Sequence, residues 1–485
     1  MVARTIDPAL LEGIGRGRIE AAAGCGKTEA IVRLTAEWRG RRTLILTHTL
    51  AGVAALRRRL NAANVSSSRY RLSSIDAWCV RRVGEFPLRA GPLPDASNAA
   101  LFYPGVRAAC LHLLEGHSVD AALRATYGRV FVDEYQDCGT DQHAIVCKLA
   151  DLLPTFVFGD PLQAVFNFPR APVISWEQAV APAFPLVETL DHPWRWVRVG
   201  ADNLGQWLVR ARAQLQDGTG IDLQNLPDGC EWRQLSGNVA QDTQMVRNAT
   251  SYWRRNDGSV LVMASPTEPH RHSDLARSGE GMQVVESLDL RTVFQGVARL
   301  EQAEEGERLR HLLELAHSVM TGISVDTLLR RCVSLRGGRA RTPATPDEAE
   351  ALAFEAEPSW NQAGVALRGW SAQAGRRVFR REVLRMLLEC LSMTTFGRHP
   401  TLVDALSAAR ERRRHQGRST TTRAVGSTLL LKGLEADYAV LMDLERLSAA
   451  HVYVALTRGT RGMLVLSRER WLGRTQRGAR ALGGG

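Results

Sequence analysis

From residue 16 onward, short apolar runs alternate with longer amphipathic ones. "RIEAA" (18–22), "RTLILT" (42–47), "RVFVDE" (129–134) and "TFVFGD" (155–160) read as strands buried on both faces. "TEAIVRLTAEW" (28–38) and "AGVAALRRRL" (51–60) between them carry apolar residues at helical spacing. Strands alternating with helices predict a parallel sheet covered on both sides. Residues 88–124 are looser: "FPLRAGPLPDASNAA" breaks the pattern, and a short helical stretch follows. From about 197 to 225 an amphipathic helix is expected around "NLGQWLVRARAQL". "SVLVMA" (259–264), "YAVLMD" (438–443) and "MLVLS" (463–467) form a second strand series. Between them, residues 290–396 are helix-rich, with charge-dense patches such as "LEQAEEGERLRHLLELAH".

The pattern predicts an α/β fold with two parallel-sheet cores, each interrupted by a small, mostly helical insertion. The expected division is 1–87 with 125–196 for the first core and 88–124 for its insertion. The second core takes 197–289 with 397–485, and its insertion 290–396. The tail "TQRGARALGGG" is expected to be disordered, and no internal repeat is visible. At 485 residues the chain exceeds what one core organises, which agrees with several domains.

Composition narrows the partners. Apolar residues make up 45% and charged residues 23%, ordinary for a globular protein. No apolar run reaches membrane-spanning length, and "MVARTIDPAL" lacks the apolar core of a signal peptide. The eight cysteines are scattered without CxxC spacing, so neither a zinc site nor a disulfide framework is indicated, and a reducing cytoplasm is expected. The net charge of +11 favours a polyanionic partner, nucleic acid above all, although an arginine-rich codon bias would give the same balance.

Within that balance one residue type is nearly absent: the 62 basic residues include only Lys27, Lys148 and Lys432 as lysines. Lys27 lies in "AAAGCGKT", a phosphate-binding loop with Ala21 where the commoner pattern has its first glycine. Backbone N–H groups of Ala23, Gly24, Cys25 and Gly26 can close around a phosphate at a helix N-terminus. A compact ammonium at Lys27 fits between β- and γ-phosphates where a planar guanidinium does not. The Thr28 hydroxyl is placed for Mg²⁺. Cys25 is either a reactive thiol or a small filler.

In "VFVDEYQD" (130–137), Asp133 at a strand end can hold Mg²⁺ and Glu134 can activate a water. Alone, such a pair could also be a solvated loop. "VFGDPLQAVFNFPRA" (157–171) sets Gln163 beside the nucleotide, and Phe166 and Phe168 either stack on bases or form a core strand face.

These stretches together resemble superfamily 1 helicases of the UvrD/Rep type. "LILTHTLAGVAALRRRL" is similar to their second motif, with His48 where a DNA-stacking phenylalanine is usual. "SIDAWC" resembles "TxHSFC", with Ser74 for the threonine. "LDHPWRW" resembles "LxxNYRS", making Trp194 the adenine-stacking ring and Arg195 an arginine that reaches the γ-phosphate. "STLLLKGLE" resembles "TxHxxKGLE", with Lys432 in it and Glu435 near the ribose. "VYVALTRG" makes Arg458 a second arginine finger.

Seven motifs stand in the family's order across residues 21–461. The resemblance implies two RecA-like cores, Mg²⁺ and ATP as cofactors, single-stranded or tailed DNA as partner, and 3′→5′ stepping. Compactness is also similar to small stand-alone helicases, among them the helicase subunit of the Gabija phage-defence system, which works with a separate nuclease. Phage defence or DNA repair is the setting this implies.

Departures are visible too. No glutamine precedes the phosphate loop, Glu29 replaces an adenine-stacking arginine, Leu429 replaces the motif histidine, and no strand-separating hairpin is evident. A DNA- and nucleotide-sensing subunit that regulates a partner nuclease is therefore a second reading. A P-loop kinase for a small metabolite is a third, and it leaves Phe166, Phe168, Arg195 and Arg458 without a role.

Overall fold

The computed structural model describes residues 6–95, 99–165, 173–266, 268–285, 290–416 and 422–475. The fold is α/β, with two RecA-like parallel-sheet cores. The chain divides into two compact units. One comprises Met1–Gly229, Arg446–Arg461 and Trp471–Gly485; the other comprises Cys230–Glu445 and Gly462–Arg470. These units cut the chain differently from the division expected above, since 197–229 and 446–461 group with the first unit.

The first unit's sheet has six strands among the described residues: β1 (Arg16–Ala21), β2 (Arg42–Thr47), β3 (Tyr70–Ser74), β4 (Tyr127–Asp133), β5 (Thr155–Gly159) and β6 (Leu186–Leu190). They lie in the order β3-β2-β4-β5-β1-β6, all parallel. Side chains alternate between the faces as the two-residue period requires. Leu44, Leu46, Val130, Val132 and Val157 join one buried cluster, with Trp78 from the helix Ile75–Glu85. Ile19, Ile45, Phe131, Phe156 and Phe158 join the other. The Phe131 and Phe158 rings meet edge to face at 5.4 Å.

Burial on both faces explains why the central strands read as near-continuous apolar runs. The edge strands β3 ("YRLSS") and β6 ("LVETL") are half polar, as exposed edges tend to be. The apolar pattern therefore did not mark them. The loose segment 88–124 holds more helix than expected: Ala99–Glu115 runs for 17 residues, followed by Asp120–Thr126. The expected helix near 197–225 is Asp202–Asp217. A short antiparallel pair, β7 (Ile221–Asp222) with β14 (Trp471–Leu472), also belongs to this unit.

In the second unit β8 (Cys230–Gln234), β9 (Val260–Met263), β10 (Gln283–Val284), β11 (Arg423–Gly426), β12 (Ala436–Met442) and β13 (Gly459–Ser467) lie in the order β10-β11-β9-β12-β13-β8. Helices between Arg291 and Gln416 surround a separate core containing Leu312, Leu313, Phe354, Trp370 and Leu387. The helix Leu402–Gln416 contributes Leu402, Ala405 and Leu406 to it, so the bundle runs past 396. No described helix is long and apolar enough to cross a membrane. The tail from 476 lies outside the described residues.

In a parallel sheet every strand delivers its carboxyl end to the same edge. The loops after β1, β4 and β5, which are neighbours in the order β4-β5-β1, thereby bring three sequence-distant motifs together. The loops after β2 and β3 do the same for His48 and Ser74.

Candidate functional site

The turn after β1 is shaped by two glycines in the left-handed region, Gly24 (φ 72°) and Gly26 (φ 91°). Gly26 caps the helix Lys27–Glu37, whose first residues are Lys27 and Thr28. Gly24 has no room for a side chain, and Gly26 is held to glycine by its left-handed backbone and a tight neighbour. A Cβ at Gly24 would lie 2.6 Å from the Trp196 ring, and one at Gly26 would lie 3.2 Å from the Trp194 ring. Trp194 therefore sits over the phosphate-loop turn, its ring edge to face with His192 at 4.3 Å.

Lys27 is buried, and its Nζ lies 2.7 Å from Glu134 Oε1 and 3.7 Å from Asp133 Oδ1. Burial alone would lower its pKa, but the two carboxylates more than offset this and hold the ammonium above the ordinary lysine value. An ammonium has three N–H donors, and here donors are left without an accepting partner. Burial pushes the Asp133 carboxyl up to about 6, against the pull of Lys27 and with the repulsion of Glu134. Glu134 holds a left-handed backbone (φ 53°), rare for a residue with a side chain and a mark of local strain at this position.

A hydrogen-bonded chain leads on from Glu134. Gln136 Nε2 donates to Glu134 Oε2 at 2.5 Å, and Gln136 Oε1 accepts the Asp160 N–H at 3.1 Å. Gln163, buried at the end of the turn Pro161–Gln163, donates from Nε2 to Asp160 Oδ2 at 2.9 Å. The sheet thus gathers Lys27, Asp133, Glu134 and Gln163 around one turn.

The helix Ala449–Leu456 brings the last motif to the same unit. Ala23 N–H donates to the Tyr453 hydroxyl at 3.0 Å. Arg195 Nη1 donates to Thr457 O at 2.9 Å, and Trp196 Nε1 to Gly459 O at 3.0 Å. Arg458 is buried, with Nε donating to Val454 O and Nη2 to Thr457 Oγ1. Cys25 is buried with its thiol pushed up to about 12, chiefly by burial, which favours the small filler over a reactive thiol.

Two expected DNA contacts sit at the carboxyl ends of β2 and β3. His48 Nδ1 lies 3.3 Å from Gln142 Oε1, and Gln142 Nε2 donates to Asp76 Oδ1 at 3.2 Å. The Ser74 hydroxyl accepts the Ala77 N–H at 3.2 Å and so caps the helix Ile75–Glu85. Phe166 and Phe168 lie outside the described residues. Glu435 is exposed just before β12 in the second unit, outside this cluster's compact unit.

Gln136, Asp160 and Tyr453 were not singled out from sequence. The first two stand inside quoted motifs, and only their spacing from Glu134 and Gln163 hinted at a bridge. Tyr453 stands inside the motif "VYVALTRG" too, but its partner Ala23 lies 430 residues away, so nothing local pointed to the contact.

The donor set suits a metal-bound nucleoside triphosphate. It offers a glycine turn at a helix N-terminus, a buried ammonium with unmatched donors, a hydroxyl at Thr28 and two carboxylates at a strand end. Fold and site together define an α/β protein with a glycine-rich loop that leads into a helix at the carboxyl end of a parallel strand. Residues 95–179, which include Asp133, Glu134 and Gln163, match the family model described as UvrD/REP helicase N-terminal domain. Over that segment the chain carries a UvrD/REP-type helicase sequence.

No curated protein matches the chain in sequence. Solved structures similar to it include the arterivirus nonstructural protein 10 helicase in complex with DNA, at 8% identity and a TM-score of 0.35, over 94% of this chain and 62% of that one. The same helicase in a second crystal structure gives 9% identity and a TM-score of 0.33, over 94% and 63%. The chain thus spans less than two thirds of those helicases, and at such scores the fold rests on its own two sheets.

Replacing Tyr453 by Phe leaves the buried Ala23 N–H without its acceptor. The expected cost is about 1–3 kcal/mol of stability, read as a lower urea midpoint for the variant. An unchanged midpoint would show that this contact does not hold the loop.

Proposed function

We propose that the chain is an ATP-dependent single-stranded DNA translocase and helicase that steps 3′→5′. The observation that carries the reading is the Lys27–Glu134–Gln136–Asp160–Gln163 chain beneath a glycine turn, of which Glu134 to Gln163 lie in the segment 95–179 that matches the UvrD/REP model. Lys27 and the N–H groups of residues 23–28 bind the β- and γ-phosphates. Thr28 and Asp133 would hold Mg²⁺, which when bound supplies charge neutralisation on the phosphate oxygens. Glu134 orients the attacking water and accepts its proton.

Gln163 contacts the γ-phosphate side, Trp194 stacks on the base, and Arg195 and Arg458 stabilise the transferring charge once released from the carbonyls of residues 454–457. Glu435 is assigned to the ribose. His48, Ser74, Phe166 and Phe168 are assigned to DNA, with arginine-rich surfaces supplying phosphate contacts.

Lys27→Ala is expected to abolish hydrolysis and weaken nucleotide binding. Glu134→Gln is expected to keep binding within about threefold while hydrolysis falls by about a hundredfold or more, because it removes proton acceptance and retains the site's shape. Calorimetric titration with Mg-ATP beside a phosphate-release assay measures both. A Glu134→Gln protein that hydrolyses at the wild-type rate would remove the general-base assignment.

The second reading, a DNA- and nucleotide-sensing subunit acting on a separate nuclease, is favoured by the small first insertion, whose helices reach only from Pro87 to Thr126. Strand displacement on a 3′-tailed duplex separates the two. The helicase reading predicts ATP-dependent displacement that declines steeply with salt, while DNA-stimulated hydrolysis without displacement selects the sensor.

A further inference from the structure

One charged side chain on the amphipathic helix Asp202–Asp217, outside the phosphate-loop and helicase-like motifs, reaches into the site. Arg212, on the helix Asp202–Asp217, donates from Nη2 and Nε to Asp160 Oδ1 at 3.0 and 3.4 Å. Asp160 is fully buried. A carboxylate so enclosed is retained only when cations and N–H groups replace its lost water. Here Oδ1 also accepts the Leu162 N–H at 3.2 Å, and Oδ2 accepts Gln163 Nε2 at 2.9 Å.

Arg212 is itself steadied by Gln216, whose Oε1 accepts from Nη1 at 3.0 Å. The guanidinium fork spans two of these contacts at once, a geometry an ammonium does not offer. The Asp160 carboxylate therefore has a cation on one oxygen and the Gln163 amide on the other.

We infer that Arg212 is the positioning residue for Gln163. By fixing the Asp160 carboxylate, it sets which end of the Gln163 amide is anchored to the protein and which end is presented to the nucleotide. Because Asp160 N–H is tied through Gln136 to Glu134, the same guanidinium also keeps Gln163 in step with the group assigned to activate water. The inference rests on the nucleotide reading above and deepens it. It assigns a role in hydrolysis to a residue outside the phosphate loop and the carboxylate pair.

The test is a mutant cycle on the full chain, with steady-state ATP hydrolysis and Mg-ATP affinity as readouts. Arg212→Ala is expected to lower kcat about tenfold or more while KM and nucleotide affinity stay within about twofold. Arg212→Lys is expected to recover part of kcat. Combining Arg212→Ala with Gln163→Ala is expected to be no slower than Gln163→Ala alone, because both act through one amide. Losses that multiply, or a change confined to KM, would overturn the assignment and leave Arg212 a structural ion pair.

If Arg212→Ala fails to fold because it strands the buried charge, Arg212→Ala with Asp160→Asn removes that charge. A wild-type kcat in this pair overturns the inference, and a depressed kcat with intact affinity supports it. Wild-type protein without Lys27-dependent hydrolysis would instead overturn the nucleotide reading, and this inference with it.

Discussion

The constraint on which the first unit depends is one buried ammonium held between two carboxylates. Asp133 and Glu134 offset the burial of the Lys27 ammonium, and the ammonium in turn offsets the burial of the Asp133 carboxyl. The parallel sheet makes the arrangement possible, because β1 and β4 send their carboxyl ends to one edge with β5 between them. The same edge then fixes where Asp160 and Gln163 fall. A chain that uses arginine almost everywhere keeps a lysine at this point, where the charge has to be compact.

From that centre the polar contacts run outward in two directions. One passes through Gln136 and Asp160 to Arg212 on a helix that has no place in the motif pattern. The other passes from the loop itself through Ala23 to Tyr453, and from Arg195 and Trp196 to the carbonyls of Thr457 and Gly459. Both arginines expected to act on phosphate thus have backbone carbonyl partners within the first unit. Binding a triphosphate in this site would give them a stronger, charged acceptor.

How much of this was legible in the sequence follows from the range of each interaction. Asp133 and Glu134 were readable because they end a strongly apolar strand, Gln163 because it follows another within four residues, and Lys27 because it stands in the glycine-rich loop; all of these are local patterns. The central strands were readable for the same reason. β3 and β6 were not, since edge strands lose the apolar run. The Asp160–Arg212 pair spans 52 residues and crosses from a loop to a helix, so no window of sequence contains it. Ser74 was legible as a position, yet its hydroxyl is committed to capping a helix as well. The helical bundle of the second unit was foreseen as helical, but not its extension through Leu402–Gln416, whose apolar residues are outnumbered by arginine and other polar side chains.

The central claim is that the Lys27 site hydrolyses nucleotide and that DNA governs the rate. Its most direct test is the steady-state ATP hydrolysis of wild type and Lys27→Ala, each with and without a single-stranded oligonucleotide. The account predicts strong stimulation by the oligonucleotide in the wild type and none in the variant. A rate that depends on Lys27 but ignores DNA would contradict the motor, and a rate that survives Lys27→Ala would contradict the site.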